Sequence, residues 1–181
     1  MMRGCGNMLL VKPTSEYEHI YRGFYNEWLQ SGEPFVPYII ENRPEPFQTM
    51  LSILHNYERG FGVKPNWMKS STYWLIDEGE LVGVVTIRHE LNDDLYNDGG
   101  HIVYGIRPSK RQRGYATEIL RLALSEALAM GLLRVLLTCE ASNIGSRKAI
   151  EANGGMPADD YVTDDGRIIK RYWIHLVDDA A

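Results

Sequence analysis

The chain has 181 residues, 44% hydrophobic and 24% charged, with a formal net charge of −5. That length builds one globular domain with a sizeable core, and an acidic balance argues against a general nucleic-acid or anionic-membrane binder. No apolar run approaches the roughly 18 residues that a bilayer span needs, and two cysteines, Cys5 and Cys139, neither build a disulfide framework nor have metal-ligand spacing.

Residues 1–6 lead into only a short apolar patch, so no secretory leader is expected and a cytoplasmic location is the default. Residues 7–12, closed by Pro13, read as a strand. Ser15-x-x-Glu18 has the form of a capping box. Tyr17, Ile20, Tyr21, Phe24, Trp28 and Leu29 then recur at helical spacing until Gly32 and Pro34. Residues 34–46 carry four prolines and are expected to be irregular. A second helix is expected from Pro46 to Tyr57, and Gly60, Gly62 and Pro65 end it.

From Thr72 the period becomes two. Tyr73–Ile76 and Leu81–His89 flank a turn and form a β-hairpin. Leu91–Gly100 reads as a polar, acidic loop. His101–Ile106 is another strand, stopped by Pro108. Ala116, Ile119, Leu120, Ala123, Ala127 and Leu128 mark an amphipathic helix. Arg134–Cys139 is a strand, Ser142–Asn153 a shorter helix stopped by Gly154-Gly155, and Tyr161-Val162 with Ile168–Val177 a last hairpin. The order gives a mixed α/β fold in which three strands precede the first crossover helix. Neither G-x-G-x-x-G nor the P-loop pattern occurs.

The most informative stretch runs from Arg107 to Ala116, between a strand and the best helix. It holds Arg107, Lys110, Arg111 and Arg113, four of nineteen basic residues within seven positions. Gly114 can adopt backbone angles other residues avoid and lets a ligand approach the main chain. Free N–H groups at the start of the following helix favour an anion. Together these describe a pyrophosphate cradle; the plainer reading is a solvated basic loop.

At these residues the sequence resembles the GNAT superfamily of N-acetyltransferases. The family's loop [RQ]-x-x-G-x-[GA] is matched by Arg111, Gly114 and Ala116, and its downstream Asn-x-x-Ser by Asn143 and Ser146, with Gly154-Gly155 after the helix. Arg88-His89-Glu90-Leu91-Asn92 and Gly99-Gly100-His101-Ile102 resemble a bacterial subgroup of predicted acetyltransferases. The resemblance implies a single acetyltransferase domain over 1–181, with a mixed, mostly antiparallel central sheet flanked by helices. Its parts would be a helical portion over about 14–60, an acetyl-CoA-binding core over about 72–155 and a hairpin over about 157–177. It implies acetyl-CoA as cosubstrate and no metal. The backbone of Ile102, Val103, Tyr104, Gly105 and Ile106 would pair with pantetheine. Amides of Arg111, Gln112, Arg113, Gly114, Tyr115 and Ala116 would hold the pyrophosphate. Asn143 and Ser146 would touch the pantetheine arm or its phosphates, and Asn143 also reads as a helix cap.

The family often places a general-acid Tyr four residues after that Ser, where this chain has Ile150. A CoA thiol with a pKa of about 8.5 is a fair leaving group, so the absence is tolerable, and Tyr104, Tyr161 or Tyr172 could substitute. A lysine-like amine, pKa about 10.4, costs roughly 4 kcal/mol to deprotonate at neutral pH, so a base or water relay is expected. His101 is preferred, with Glu90 and His89 as alternatives at strand ends; each also reads as structural. Asp93, Asp94 and Asp98 read as a solvated turn, or as attraction for a cationic acceptor if they face the cleft. Cys139 reads as structural. The expected activity is transfer of an acetyl group to a primary amine of a small molecule or peptide, by direct attack in a ternary complex. The alternative is a non-catalytic acyl-CoA-binding sensor. Neither nucleic acid nor membrane is an expected partner, and a homodimer is compatible with the sequence.

Overall fold

The computed structural model describes residues 8–177. The expected start of the first strand at Asn7, the leader question and Cys5 therefore lie outside the described residues.

Twelve principal elements follow in chain order: β1 Leu9–Val11, α1 Glu18–Ser31, α2 Phe47–Arg59, β2 Ser70–Asp77, β3 Glu80–Arg88, α3 Asp93–Asn97, β4 Ile102–Ile106, α4 Tyr115–Ala129, β5 Arg134–Glu140, α5 Ile144–Ala152, β6 Met156–Val162 and β7 Ile168–His175. Single 3-10 turns cover Ser15–Tyr17, Tyr38–Glu41 and Pro108–Lys110. The capping-box expectation at Ser15 is corrected. Ser15 starts a 3-10 turn, α1 begins three residues later with Tyr17 as its N-cap, and no side-chain cap bond forms there. The acidic loop is also corrected in part. Asn92 accepts the Leu95 N–H at 2.9 Å and starts the short helix α3, so a cap signal lay in the chain's Asn92.

All resolved strand pairings are antiparallel, in two sheets ordered β1-β2-β3-β4 and β5-β7-β6. Helices cover both faces. On one, α1 and α2 pack Tyr21, Phe24, Trp28, Met50 and Leu54 against Trp74 and Val84. Trp74 is fully buried and stacks on Tyr21 at 4.6 Å between ring centroids. On the other, α4 and α5 bury Ile119, Leu120, Ala123 and Ile150 against Val85, Ile87, Val135 and Leu137. The β2 residues buried at both faces explain why this strand extends beyond its clearest alternating run.

Among the described residues, the hydrogen bonds between β4 and β5 are confined to one place. The His101 N–H donates to Leu136 O at 2.7 Å, and the Leu136 N–H donates to His101 Nδ1 at 2.9 Å. A Cβ on Gly100 would stand 2.5 Å from Leu136 O, so the clasp requires glycine there. Beyond it, among the described residues, β4 and β5 share no ladder, and a seam opens between them.

Candidate active site

The seam is lined by backbone that has no sheet partner. The Arg107 N–H donates to Val82 O at 2.9 Å, which directs the odd-numbered residues of β4 toward β3. Antiparallel alternation then turns the main-chain groups of Tyr104 and Ile106 away from β3, into the seam. This edge can donate and accept hydrogen bonds with an extended amide-containing chain. At its end, the Ile106 carbonyl accepts from Arg111 Nε at 3.2 Å.

The Tyr104 side chain packs against the α4–α5 core beside Ser146 and Cys139. Its hydroxyl is buried and has no hydrogen-bond partner. Burial pushes its pKa up to about 12, with the nearby Ser146 hydroxyl acting the other way and Cys139 adding to the rise. Tyr172 donates instead to Glu151 at 3.4 Å, and Tyr161 lines a separate cavity with Asp164 and Asp165. Ile150 is 1% exposed and part of the α4–α5 core.

Below β4, the loop to α4 forms the expected anion cradle, held by carboxylates from distant parts of the chain. Glu27 on α1 accepts from Arg107 Nε at 2.5 Å and from the Ser109 N–H at 2.7 Å. Burial would raise the Glu27 carboxyl, but these donors outweigh it and hold it below the usual range. Lys110 pairs with Glu80, Arg111 with Glu33 at 2.7 Å, and Tyr115 Oη with Asp77 at 2.6 Å. The Arg111 guanidinium also lies over Trp28, 5.1 Å from the ring centroid. The expectation that four basic side chains add to the attraction is thus corrected. Three of them are neutralised by carboxylates, and Arg113 alone of the four forms no ion pair among the described residues. What remains for an anion is the backbone. Gln112 and Gly114 have φ of 59° and 87°, and Gly114 precedes α4 as its N-cap. Open space surrounds the position a Gly114 Cβ would take. Successive N–H groups at such a bend, before a 15-residue helix, form a concavity for phosphate. Glu27 and Asp77 carried no local signal for this role, because each acts across the fold.

Asn143 caps α5 by accepting the Ser146 N–H at 3.0 Å. Ser146 lies beside Tyr104. Burial raises the Cys139 thiol, which disfavours the thiolate and fits the structural reading.

On the α1–α2 face, a cavity of about 430 Å³ lies above β2, β3 and β4. Its floor carries Ser70, Thr86, Arg88 and Val103; Pro37, Tyr38, Trp67 and Leu95 form its walls. The chain at Val36 crosses close over β4, where a Gly105 Cβ would fall 1.6 Å from Val36 O. Val103 brings the cavity to the strand that lines the seam. Of the three loop aspartates, Asp94 borders both this cavity and the neighbouring one, which Asp98 also lines, and all three are exposed.

The three candidates for the base role, His101 and its alternatives Glu90 and His89, are dispersed. His101 is 8% exposed, and burial together with the Arg88 guanidinium lowers its pKa to about 4. Its Nδ1 lone pair is occupied by the Leu136 N–H, so the neutral ring carries its proton on Nε2 and has no lone pair to offer. The geometry gives His101 the clasp rather than the base. His89 hydrogen-bonds Ser71 at 2.9 Å, within a network containing Glu58 and Lys12, on the face opposite Arg88. Glu90 is exposed after β3. Arg88 was visible only as part of a motif; its alternation with buried Ile87 could have placed it on the cavity side.

A seam edged by unpaired amides, with a phosphate-sized nest at one end and a cavity at the other, is what acyl transfer from a long phosphorylated thioester requires. The family model for the acetyltransferase (GNAT) domain matches residues 8–156, and the chain belongs to this family. Acyl transfer from acetyl-CoA is the activity that goes with it. Among solved structures, Mycobacterium smegmatis RimJ in complex with CoA-disulfide is 20% identical, with 94% of this chain and 82% of that one covered and a TM-score of 0.69. The ribosomal-protein-S5-alanine acetyltransferase from Vibrio fischeri is 14% identical, with 94% of each chain covered and a TM-score of 0.68. The microcin C7 self-immunity acetyltransferase MccE, in complex with acetyl-CoA and AMP, is 12% identical, with 93% of this chain and 92% of that one covered and a TM-score of 0.66. At these identities the likeness is one of fold. A comparison with curated proteins finds no match. Among the described residues no helix is long and apolar enough to cross a membrane, and no group of three His, Cys, Asp or Glu side chains could hold a metal ion.

Proposed function

We propose that this protein transfers the acetyl group of acetyl-CoA to a primary amine, by direct attack within a ternary complex. Acetyl-CoA, when bound, supplies a thioester carbonyl activated toward an amine nucleophile. The Gln112–Ala116 amides and Arg113 bind its pyrophosphate, and the Tyr104 and Ile106 main-chain groups orient the pantetheine amides. A β4 N–H at the reacting carbonyl would stabilise developing negative charge. Tyr104 Oη is the proton donor to the departing sulfur, in place of the side chain absent at position 150. The cavity over Val103 receives the amine. Asp94, at that cavity, favours a cationic acceptor and, with water, relays its proton; His101 takes no part.

The observation that carries this reading is the Tyr104 hydroxyl, buried without a hydrogen-bond partner on the strand that edges the seam. A buried hydroxyl left unpaired costs about 1–3 kcal/mol, and a thioester sulfur would complete it. That cost favours turnover over a sensor, for which a phenylalanine would serve better. The test is thiol release from acetyl-CoA across a panel of primary amines and the matching alcohols, with mass spectrometry of the products. The proposal expects amide products equimolar with free CoA. Ester products would reassign the acceptor. Tight CoA binding with no release above hydrolysis would support the sensor instead.

A further inference from the structure

The acceptor cavity contains a guanidinium that forms no ion pair, although Asp94 borders the same cavity. Arg88 ends β3 and lines the cavity. Both protons of Nη1 are used, donated to Gly99 O and Gly100 O at 2.8 Å each. No hydrogen bond to protein occupies Nε or Nη2 among the described residues, and no carboxylate pairs with the group. Arg107, a partly buried cation nearby in sequence, has Glu27. Arg88 has only desolvation acting on it, which lowers its pKa to about 10. Charged side chains are rarely buried unless paired, because desolvation is costly without compensation. The two carbonyls fix the guanidinium plane and leave its other edge available. A carboxylate is the group that matches such an edge, through two parallel charge-assisted bonds.

The register sets where that anion would sit. Thr86 pairs with Val103 across β3 and β4, and Arg88 lies two residues further along the same face. Two residues of strand span about 7 Å. An acceptor whose nitrogen meets the thioester beside Val103 therefore has its far end at Arg88. Between them the walls are apolar, from Tyr38, Trp67 and Leu95.

We infer that Arg88 anchors the carboxylate of the acceptor, so that the preferred substrates are dipeptide-like amines with an apolar body, whose carboxylate lies about 7 Å from the reacting nitrogen. This rests on the amine-acetyltransferase reading above and names the substrate class of the same site. Arg88 is then a specificity-determining residue, and its contacts to Gly99 and Gly100 position it for that task.

The decisive comparison needs no turnover. N-acetylglycyl-L-phenylalanine and its C-terminal amide, titrated by calorimetry into the CoA-bound protein, differ only at the anion. Wild type should bind the carboxylate about tenfold or more tighter, the worth of a charge-assisted bond. Arg88→Gln should abolish the difference and Arg88→Lys should retain part of it. Should Arg88→Gln not fold, the Arg88 Nε–H resonance of the wild-type protein decides: it should shift with the carboxylate ligand and not with the amide. Equal binding of the two ligands by wild type, a preference that survives in a folded Arg88→Gln, or an unmoved Nε–H resonance would each overturn the inference. Thiol-release assays with glycyl-L-phenylalanine and its amide separate this from the parent reading. Amine acetylation without carboxylate preference sinks the anchor alone, whereas carboxylate binding with no acetylation of any amine sinks the transferase proposal alone.

Discussion

Replacing Tyr104 by Phe should make the protein more stable and less active at the same time. The Tyr104 hydroxyl is buried and meets no partner in hydrogen-bond geometry, the Ser146 hydroxyl beside it giving only a weaker polar contact, so in the free protein most of its desolvation is uncompensated. Relieving a buried unsatisfied donor is worth about 1–3 kcal/mol. For a chain of 181 residues, each 1 kcal/mol raises Tm by about 2–4 °C, so scanning calorimetry should find an increase of at least that size. The ring itself packs against the α4–α5 core and is retained in the variant. Catalysis should move the other way. Loss of a general acid costs about 10²–10⁴ in rate, and the low end applies because a thiol of pKa about 8.5 leaves readily without help. With the hydroxyl pKa near 12, Tyr104 stays protonated across the assay range. The loss of about 10² in kcat should therefore be uniform from pH 6 to 9, with KM for acetyl-CoA little changed. A lower Tm with unchanged kcat would refute the reasoning, because it would mean the hydroxyl is a satisfied structural group.

Gly114→Asp should fold and lose acetyl-CoA. No atom lies within 4 Å of the new Cβ, and a positive φ of 87° costs a non-glycine residue about 1 kcal/mol. A carboxylate placed against the proposed pyrophosphate should raise the calorimetric Kd by about 100-fold or more; an unchanged Kd in the folded variant would remove the phosphate from this nest. His101→Gln probes the clasp. The folded pKa of about 4 lies below the unfolded value of about 6.5, so the neutral-ring stability is complete above pH 6.5 and is lost as pH falls toward 4. The stability gap between wild type and variant, from urea midpoints at pH 7.5 and 4.5, should narrow in acid. The acidic limb of the rate profile should stay where it is; its disappearance would restore His101 as the base.

What the sequence made legible was local. The change of period at Thr72, the strand before Pro108 and the helix from Tyr115 all follow from residues within a few positions, and so does the left-handed bend at Gly114. What it concealed depends on pairs far apart. Arg107 and Glu27 are 80 positions apart, and their bond turns an apparent basic cluster into a neutralised scaffold around a backbone nest. His101 looked available at a strand end because nothing local reveals that Leu136 donates to its ring. The unpartnered Tyr104 hydroxyl and the guanidinium of Arg88 are likewise facts about what fails to approach, which no spacing within one strand records. The α3 helix lay within reach of local reasoning, through Asn92 as a cap, but its acidic composition reads equally as a turn.

The central claim is that the thioester of acetyl-CoA lies in the seam between β4 and β5, under Tyr104. A crystal structure of the complex with acetyl-CoA measures this directly. The account predicts pyrophosphate oxygens on the amides of residues 112–116, a pantetheine amide paired with the outward edge of β4, and the thioester sulfur within hydrogen-bond reach of Tyr104 Oη. A pantetheine arm outside the seam, with the Tyr104 hydroxyl still unpartnered, would contradict it.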